Sequence, residues 1–289
     1  LTLLRGDLPG VDSALERARQ ATGQAVATGE GETNDAPLDD HQWQPVLRQA
    51  LDYGRFRLVY QPIASLSGNP VSLYEVFVRL LDTDGEEVLP QEFLPAARRL
   101  RLAGALDRCI VTRALDVLAG ELHRGHRPLL FLKLFPETVT DPQFTPWLAA
   151  RLQEHELPGS CLVFQITQET AAQRLTEATA LAEGLAPLGC HLALEHFGAS
   201  EQDHPEVLER LQPTYIKLSP VLTEGLEHDK DKQQRVQAIT STARKQGVRT
   251  IAALVQDATV LSALWASGVH YIQGYFMQPP SDLFGDPSA

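Results

Sequence analysis

The sequence is poor in cysteine, in long apolar runs and in positive charge, and each shortage excludes a class of protein. Its 289 residues include three cysteines, Cys109, Cys161 and Cys190. They lie far apart inside apolar segments, and an odd, widely spaced set predicts buried thiols rather than a disulfide framework. Reduced thiols are typical of the cytoplasm, so we expect a cytoplasmic protein.

Long apolar runs are missing as well. No uninterrupted run approaches the roughly 20 residues that span a bilayer, and the N-terminal residues lack the pattern of a signal peptide. We therefore expect no membrane insertion. The sequence begins at Leu1 rather than at Met, which predicts a fragment of a longer chain.

Positive charge is scarce. The chain has 25 Lys and Arg against 37 Asp and Glu, a formal net charge of -12. A field of this sign repels nucleic acid and anionic membranes, so we expect neither DNA nor RNA as a partner. An anionic ligand would need a local basic site.

The length and composition fit one barrel with a short appendage. Hydrophobic residues make up 43% of the chain, enough for a sizeable core. Residues 12–26 predict an amphipathic helix with Asp12 or Ser13 as N-cap, and residues 29–40 combine glycine, acids and a proline without periodicity, as a solvated linker does. We therefore expect a small N-terminal piece over residues 1–28, a linker over 29–40 and a barrel domain over 41–289.

Short apolar runs alternate with helical stretches from residue 41 onward, which is typical of a parallel α/β architecture. The candidate strands are residues 58–63, 72–80, 129–134, 161–166, 191–195, 214–218, 249–253 and 271–274. The candidate helices between them are residues 105–124, 143–155, 170–187, 230–246 and 257–267. Eight strands in roughly 250 residues predict an α/β fold, a modified TIM-like (β/α)8 barrel.

The first two strands depart from this pattern. Their connection, residues 64–71, is too short for a crossover helix, so we expect them to pair antiparallel. In such barrels the chemistry lies at the carboxyl ends of the strands, and polar residues cluster there in this sequence.

Six short segments carry a family resemblance by their order and spacing. They are QPI at 61–63, EVFVRL at 75–80, PQEFLPAA at 90–97, LDRCIV at 106–111, YIKL at 215–218 and YIQGYFMQPP at 271–280. Over roughly residues 42–285 the chain resembles the EAL phosphodiesterases, whose active members cleave cyclic di-GMP with divalent metals. The EVF variant is most similar to degenerate EAL domains of the FimX type, which regulate type IV pili. Residues 1–28 resemble the last helix of a GGDEF domain.

The resemblance implies that the metal site of active members is dismantled here. Such a site needs hard oxygen ligands, and Glu75 is retained. The other positions are changed: Lys133 replaces an asparagine, Gln165 and Gln168 replace glutamates, Glu195 and His196 replace paired aspartates, Ser219 replaces the aspartate after the retained Lys217, and ALVQ at 253–256 replaces EGVE. We therefore expect no catalysis and no metal cofactor.

The resemblance also implies that the residues which hold cyclic di-GMP are kept. They are Gln61, Phe77, Val78, Arg79, Leu80, Asp107, Gln256, Met277, Gln278 and Pro279. The Arg79 guanidinium suits a phosphate because it offers a planar pair of donors. Phe77 would stack on a guanine, and Asp107 would accept from a guanine edge.

Three of these residues have a structural alternative. Arg79 would pair with Glu75 or another nearby acid, and Phe77 would be a core residue of its strand. Asp107 would offset the dipole in the first turn of a helix.

Inside the changed metal site, the structural alternatives are two ion pairs, Lys133 with Glu75 and Lys217 with Glu195. The sequence thus predicts a receptor that binds cyclic di-GMP without metal. The alternatives are a weak phosphodiesterase that uses Glu75, Glu195 and Lys217, and a ligand-free interaction scaffold. The FimX resemblance implies a PilZ-domain protein or a pilus assembly ATPase as a partner.

Overall fold

The computed structural model describes residues 39–68, 72–82, 85–199, 205–256, 258–282 and 284. The predicted helix at 12–26, the GGDEF-like piece at 1–28 and residues 29–38 of the predicted linker lie outside this part of the chain. The domain boundaries therefore stay predictions. The described chain starts with Asp39, whose side chain caps the first helix by accepting from the Gln42 amide at 2.9 Å.

Eight strands close into the predicted barrel, each within two residues of its expected position. They are β1 (Phe56–Ser65), β2 (Leu73–Leu81), β4 (Leu129–Lys133), β5 (Leu162–Thr167), β6 (His191–Phe197), β7 (Tyr215–Leu218), β8 (Arg249–Ala252) and β9 (Tyr271–Ile272). Their order is β1-β9-β8-β7-β6-β5-β4-β2, and pairing of β1 with β2 closes the ring. An unpredicted short strand, β3 (Glu87–Val88), pairs with the end of β2.

The antiparallel strand is β1. It runs antiparallel to β9, with Ala64 opposite Ile272, whereas the remaining neighbours of the ring from β2 to β9 are parallel. This confirms the expectation drawn from the short 64–71 connection. The strands of the ring other than β1 therefore direct their carboxyl ends to one rim of the barrel.

The described helices are α1 (Asp40–Tyr53), α2 (Pro90–Arg99), α3 (Ala103–His123), α4 (Pro136–Val139), α5 (Phe144–Glu154), α6 (Gln168–Gln173), α7 (Leu175–Leu185), α8 (Pro205–Leu211), α9 (Pro220–Thr223), α10 (Lys230–Lys245) and α11 (Leu261–Ala266). The sequence did not predict α1, α2, α4, α8 or α9. Four of these five begin with proline, which suits a first helical position because its missing N–H has no partner there anyway.

The predicted helix at 170–187 is two helices, because Arg174 leaves the helical conformation with φ -131° and ψ 48°. The predicted helix at 257–267 is shorter at its start, since α11 begins at Leu261. None of the described helices combines the length and the apolar character that crossing a bilayer requires.

The described residues form two compact units. The smaller unit contains residues up to Leu58 and Val78–Ile110, and the larger unit contains Val59–Phe77 and the residues from Val111 onward. In the smaller unit α1 packs on α2, with an ion pair of 2.7 Å between Asp40 and Arg99.

One layer of side chains fills the interior of the larger unit. Each barrel strand contributes one residue to it: Ile63, Leu73, Phe131, Val163, Ala193, Tyr215, Ile251 and Tyr271. Because side chains alternate along a strand, the residues two positions nearer the carboxyl rim form the next layer on the same face. That next layer is the candidate site.

Cys109, Cys161 and Cys190 lie in the described part of the chain, and none of them forms a disulfide. Cys161 and Cys190 are buried as predicted, and Cys109 is partly exposed. Burial raises the pKa of the Cys190 thiol to about 12, so this thiol is protonated at neutral pH.

Candidate functional site at the carboxyl ends of the strands

A polar layer lies directly above the apolar layer of the larger unit. Its members each follow or precede an apolar-layer residue by two positions: Gln61, Glu75, Lys133, Gln165, Glu195, Lys217 and Gln273. Six of them are buried, and Lys133 is the exposed one. The layer combines two carboxylates, two ammonium groups and three amides.

The charged groups of this layer are paired. Lys217 Nζ lies 2.9 Å from Glu75 Oε2 and 3.5 Å from Glu195 Oε1, and Lys133 Nζ lies 2.7 Å from Glu195 Oε2. The expected pair of Lys217 with Glu195 is confirmed. The expected pair of Lys133 with Glu75 is wrong, because Lys217 and two amides already occupy the Glu75 carboxylate and Lys133 turns to Glu195 instead.

The pKa shifts of Glu195 and Lys217 favour the charged forms of both groups. Burial alone would raise the pKa of the Glu195 carboxyl, but the charges of Lys217 and Lys133 more than offset it and hold that pKa below its ordinary value. Burial alone would lower the pKa of Lys217, but Glu75 and Glu195 hold it above its ordinary value. At neutral pH Glu195 and Lys217 are therefore ionised.

Amide groups donate further hydrogen bonds to the Glu75 carboxylate. Gln165 Nε2 donates to Glu75 Oε1 at 3.2 Å, and Gln273 Nε2 donates to Glu75 Oε2 and, at 2.8 Å, to Gln61 Oε1. Gln61 Nε2 in turn donates to the Gln278 carbonyl at 3.0 Å. A chain of side-chain hydrogen bonds thus joins Glu75 to the segment that follows β9.

This donor set does not fit a pair of divalent metals. The described residues contain no group of three or more His, Cys, Asp or Glu side chains arranged to hold a metal ion. Glu75 and Glu195 each lie within 3.5 Å of an ammonium group. A dication among them would meet repulsion of roughly 4 kcal/mol per unit of charge at 4 Å.

Gln168 has a structural role outside the polar layer. Its Oε1 accepts a hydrogen bond of 2.9 Å from the backbone N–H of Gly198, just beyond β6. The pairing of β6 with β7 shifts register between Leu194 and Phe197, and His196 within this irregularity is exposed with φ 54°. The amide therefore holds the turn that follows Glu195.

Six of the residues expected to hold the dinucleotide belong to the larger unit. Gln61 is buried, Phe77 and Gln278 are partly buried, and Gln256, Met277 and Pro279 are exposed. Gln256 also lines a cavity of about 210 Å³ together with residues of α9 and of the loop that follows β8. The exposed members are open to a ligand.

The other four belong to the smaller unit. Val78, Leu80 and Asp107 are buried there, and Leu80 has no exposed surface that a ligand could contact. Arg79 is partly buried, with its Nε 3.5 Å from Glu87 Oε2 and its Nη1 donating to the Val78 carbonyl at 3.0 Å. The nearby acid of the structural alternative is thus Glu87 rather than Glu75.

The expected place of Asp107 in its helix was wrong. Helix α3 begins at Ala103, so Asp107 is its fifth residue and lies beyond the first turn. The sequence placed the start near residue 105, because Gly104 obscures the beginning of the periodic pattern. The stabilisation by the helix dipole, which falls off within the first turn, therefore carries little weight for Asp107.

Burial alternates along β2. Phe77 and Arg79 are partly buried, whereas Val76, Val78 and Leu80 are buried. Alternate residues of a strand share a face, so Phe77 and Arg79 project to the same, more open side. Phe77 is therefore not among the fully buried core residues.

A contact that the sequence did not predict joins Ser281 and Phe284, which follow the QGYFMQPP segment, to β1. The Tyr60 amide donates to the Ser281 carbonyl at 2.7 Å, and the Ser281 amide donates back at 3.0 Å. The Phe284 ring lies 4.4 Å from the Tyr60 ring and 4.9 Å from the Tyr74 ring. The isolated aromatic in SDLFGD was the available signal for this contact.

The loops after β8 and β9 touch each other and expose apolar side chains. The Phe276 amide donates to the Val255 carbonyl at 3.1 Å. A Cβ at Gly274 would lie 2.1 Å from that carbonyl oxygen, so the close approach requires glycine. Leu254 and Tyr275 are 59% and 65% exposed, which leaves apolar surface beside Met277.

The fold and this site define an EAL-type barrel, and the comparison with known families agrees. The EAL domain family matches residues 45–280, and the chain belongs to this family.

Solved structures of FimX EAL domains are similar to this chain. The FimX EAL domain from Pseudomonas aeruginosa bound to c-di-GMP is 35% identical, with a TM-score of 0.78 over 84% of this chain and 98% of that one. The Xanthomonas citri FimX EAL domain in complex with c-di-GMP is 30% identical, with a TM-score of 0.81 over 86% of this chain and 96% of that one. The FimX-type resemblance is thereby confirmed.

Longer phosphodiesterases are also relatives. The cyclic di-GMP phosphodiesterase PdeF of Escherichia coli is 24% identical over 82% of this chain and 31% of that protein. PdeB of Shewanella oneidensis is 25% identical over 84% of this chain and 28% of that protein. The chain thus spans about a third of the length of these enzymes.

Proposed function

We propose that this barrel binds cyclic di-GMP without hydrolysing it and without a metal ion. The observation that carries the proposal is the ion-paired layer at the carboxyl rim. There, two ammonium groups neutralise two carboxylates at 2.7 to 3.5 Å. Two-metal hydrolysis needs open carboxylates to hold the metals that activate water, and this layer offers none.

The residues around the layer support the binding half of the proposal. Met277 and Gln256 are exposed, and Phe77 shares the more open face of its strand with Arg79. The two similar FimX domains were crystallised with c-di-GMP. A scaffold that binds no ligand would have no reason to combine an arginine and an aromatic ring with the hydrogen-bonded side chains of Gln61 and Gln273.

The first test is calorimetric titration with cyclic di-GMP in buffer with EDTA and in buffer with magnesium. We expect one-to-one binding with the same affinity in both, because the cation positions are filled by lysines. Loss of binding in EDTA would contradict the metal-free site.

The same samples separate the receptor from the weak phosphodiesterase. Incubation of the protein with cyclic di-GMP and excess magnesium or manganese should leave no linear pGpG on chromatography. Metal-dependent formation of pGpG would establish the enzyme instead.

A second prediction concerns Phe77. Removal of an aromatic stacking surface costs about 1–3 kcal/mol per base in comparable sites, so Phe77→Ala should weaken binding about tenfold or more. Because Phe77 is only partly buried, the thermal midpoint should change little. Phe131→Ala is the matched control, since Phe131 has no exposed surface and its loss should cost roughly 3–5 kcal/mol of stability. If Phe77→Ala unfolds like Phe131→Ala and its folded fraction binds normally, Phe77 is a core residue.

The wider role is also part of the proposal. The FimX resemblance and the three cysteines, which form no disulfide and of which two are buried, support a cytoplasmic receptor in type IV pilus control. In that role the liganded barrel binds a PilZ-domain protein or a pilus assembly ATPase.

A further inference from the structure

The two ammonium groups of the polar layer differ in exposure. The Lys217 side chain is 6% exposed and lies between Glu75 and Glu195, whereas the Lys133 side chain is 53% exposed and contacts Glu195 from the end of β4. An ammonium group carries three N–H donors, and a half-exposed one keeps part of them open to solvent. Lys133 is therefore the cation of this layer that an incoming anion can reach.

The network permits Lys133 to take a second partner. Glu195 lies 2.7 Å from Lys133 and 3.5 Å from Lys217, so it retains one cation if Lys133 shares its charge. The layer as a whole holds two positive and two negative charges. A phosphate at Lys133 would therefore leave no buried carboxylate without a partner.

We propose that Lys133 Nζ binds a phosphate oxygen of cyclic di-GMP and so supplies the cation that the dismantled metal site no longer holds. This inference rests on the proposed function and adds a specific residue to it. Glu195 is the positioning residue, since its contact keeps the long lysine side chain at the rim rather than free in solvent. A charge-assisted contact of this kind is strong enough to matter for affinity.

The test compares wild type, Lys133→Met, Glu195→Gln and the double variant by titration with cyclic di-GMP. Methionine keeps much of the length of lysine and removes its charge. We expect Lys133→Met to weaken binding about tenfold, which corresponds to about 1.4 kcal/mol. Lys245→Met, on the exposed last turn of α10, is the matched control and should bind like wild type.

The double variant separates direct contact from an indirect effect through Glu195. If Lys133 only neutralised Glu195, Glu195→Gln would restore the affinity of Lys133→Met, because no buried carboxylate would remain there. If Lys133 binds phosphate, the loss persists in the double variant. Salt gives an independent readout: affinity measured at about 50 and about 300 mM salt should depend less on salt in Lys133→Met than in wild type.

Each outcome supports or overturns either the role of Lys133 or the proposed function. Wild-type binding with a persistent loss in Lys133→Met and in the double variant supports the inference. Equal affinities of wild type and Lys133→Met, or full rescue in the double variant, overturn the inference and leave the proposed receptor intact. Failure of wild type to bind cyclic di-GMP overturns the proposed function and the inference with it.

Discussion

Lys217→Met should lower the free energy of unfolding by roughly 3–5 kcal/mol, because breaking a buried ion pair leaves uncompensated charge. Lys217 lies 2.9 Å from Glu75 and 3.5 Å from Glu195, and all three side chains are buried. For a protein of this size we expect a fall in the thermal midpoint on the order of 10 °C. Thermal and urea unfolding measure it.

The two pKa shifts predict how the stability of the wild type depends on pH. In wild type the pKa of the Glu195 carboxyl is lower in the folded than in the unfolded protein. Its contribution to stability is therefore present at pH values above the unfolded-state pKa and is lost as the pH falls through the folded-state pKa. The pKa of Lys217 is higher in the folded than in the unfolded protein. Its contribution to stability is therefore present at pH values below the unfolded-state pKa and is lost as the pH rises through the folded-state pKa. Between the ordinary values of 4.5 and 10.5 the network should contribute constant stability.

As the pH falls, the stability of Lys217→Met should change in the direction opposite to that of the wild type. Without Lys217, burial becomes a larger influence on Glu195 and raises its pKa, so protonation at low pH relieves the unpaired charge. The difference in stability between wild type and Lys217→Met should therefore shrink as the pH falls from 7 towards about 5. Lys245→Met, with its exposed ammonium group, serves as the control and should cost less than about 0.5 kcal/mol at every pH. A loss in Lys217→Met that is as small as this would show that the buried pairs contribute nothing.

Arg79→Ala should weaken the binding of cyclic di-GMP at least about tenfold while leaving the barrel folded. The guanidinium is partly buried on the more open face of β2, and its partner Glu87 is at 3.5 Å, a loose contact. A phosphate would provide a closer, bidentate partner, which is worth more than such a surface pair. Affinity is read by calorimetry and folding by the thermal midpoint.

Two further variants separate phosphate binding from the structural alternative. Glu87→Gln removes the acid partner of Arg79 and should not reduce affinity. Arg79→Lys keeps the charge but loses the planar pair of donors, so it should recover only part of the affinity. If Arg79→Ala binds as wild type does, or if Glu87→Gln causes the same loss of affinity as Arg79→Ala, Arg79 does not bind the phosphate.

The polar layer also gives a physical account of how a metal site can be replaced. A carboxylate in a buried layer needs a counter-charge, and in this chain lysine supplies it where active relatives are expected to use metal. Neutral glutamines at positions 165 and 273 then satisfy the carboxylate oxygens of Glu75 by hydrogen bonds. In the proposed receptor, these ion pairs and hydrogen bonds would hold the rim in place of dications.

The sequence by itself determined the strands and the composition of the rim. Short apolar runs mark β1, β2 and β4 to β9, because parallel strands inside a barrel are buried on both faces. Side chains two positions apart share a face of a strand, so Lys133 and Gln165 lie above Phe131 and Val163 and the presence of a polar layer follows from the residues alone. The short connection after β1 determined its antiparallel direction.

Tertiary structure decided which groups of the rim are partners. Lys217 extends from β7 to Glu75 on β2, two strands that are not neighbours in the sheet, and this leaves Glu195 to Lys133. Sequence spacing does not encode distances between strands that close into a ring, so the alternative pair of Lys133 with Glu75, drawn from the sequence, was wrong. The contact of Phe284 with Tyr60 was missed for the same reason, since more than 200 residues separate two rings whose centroids lie 4.4 Å apart.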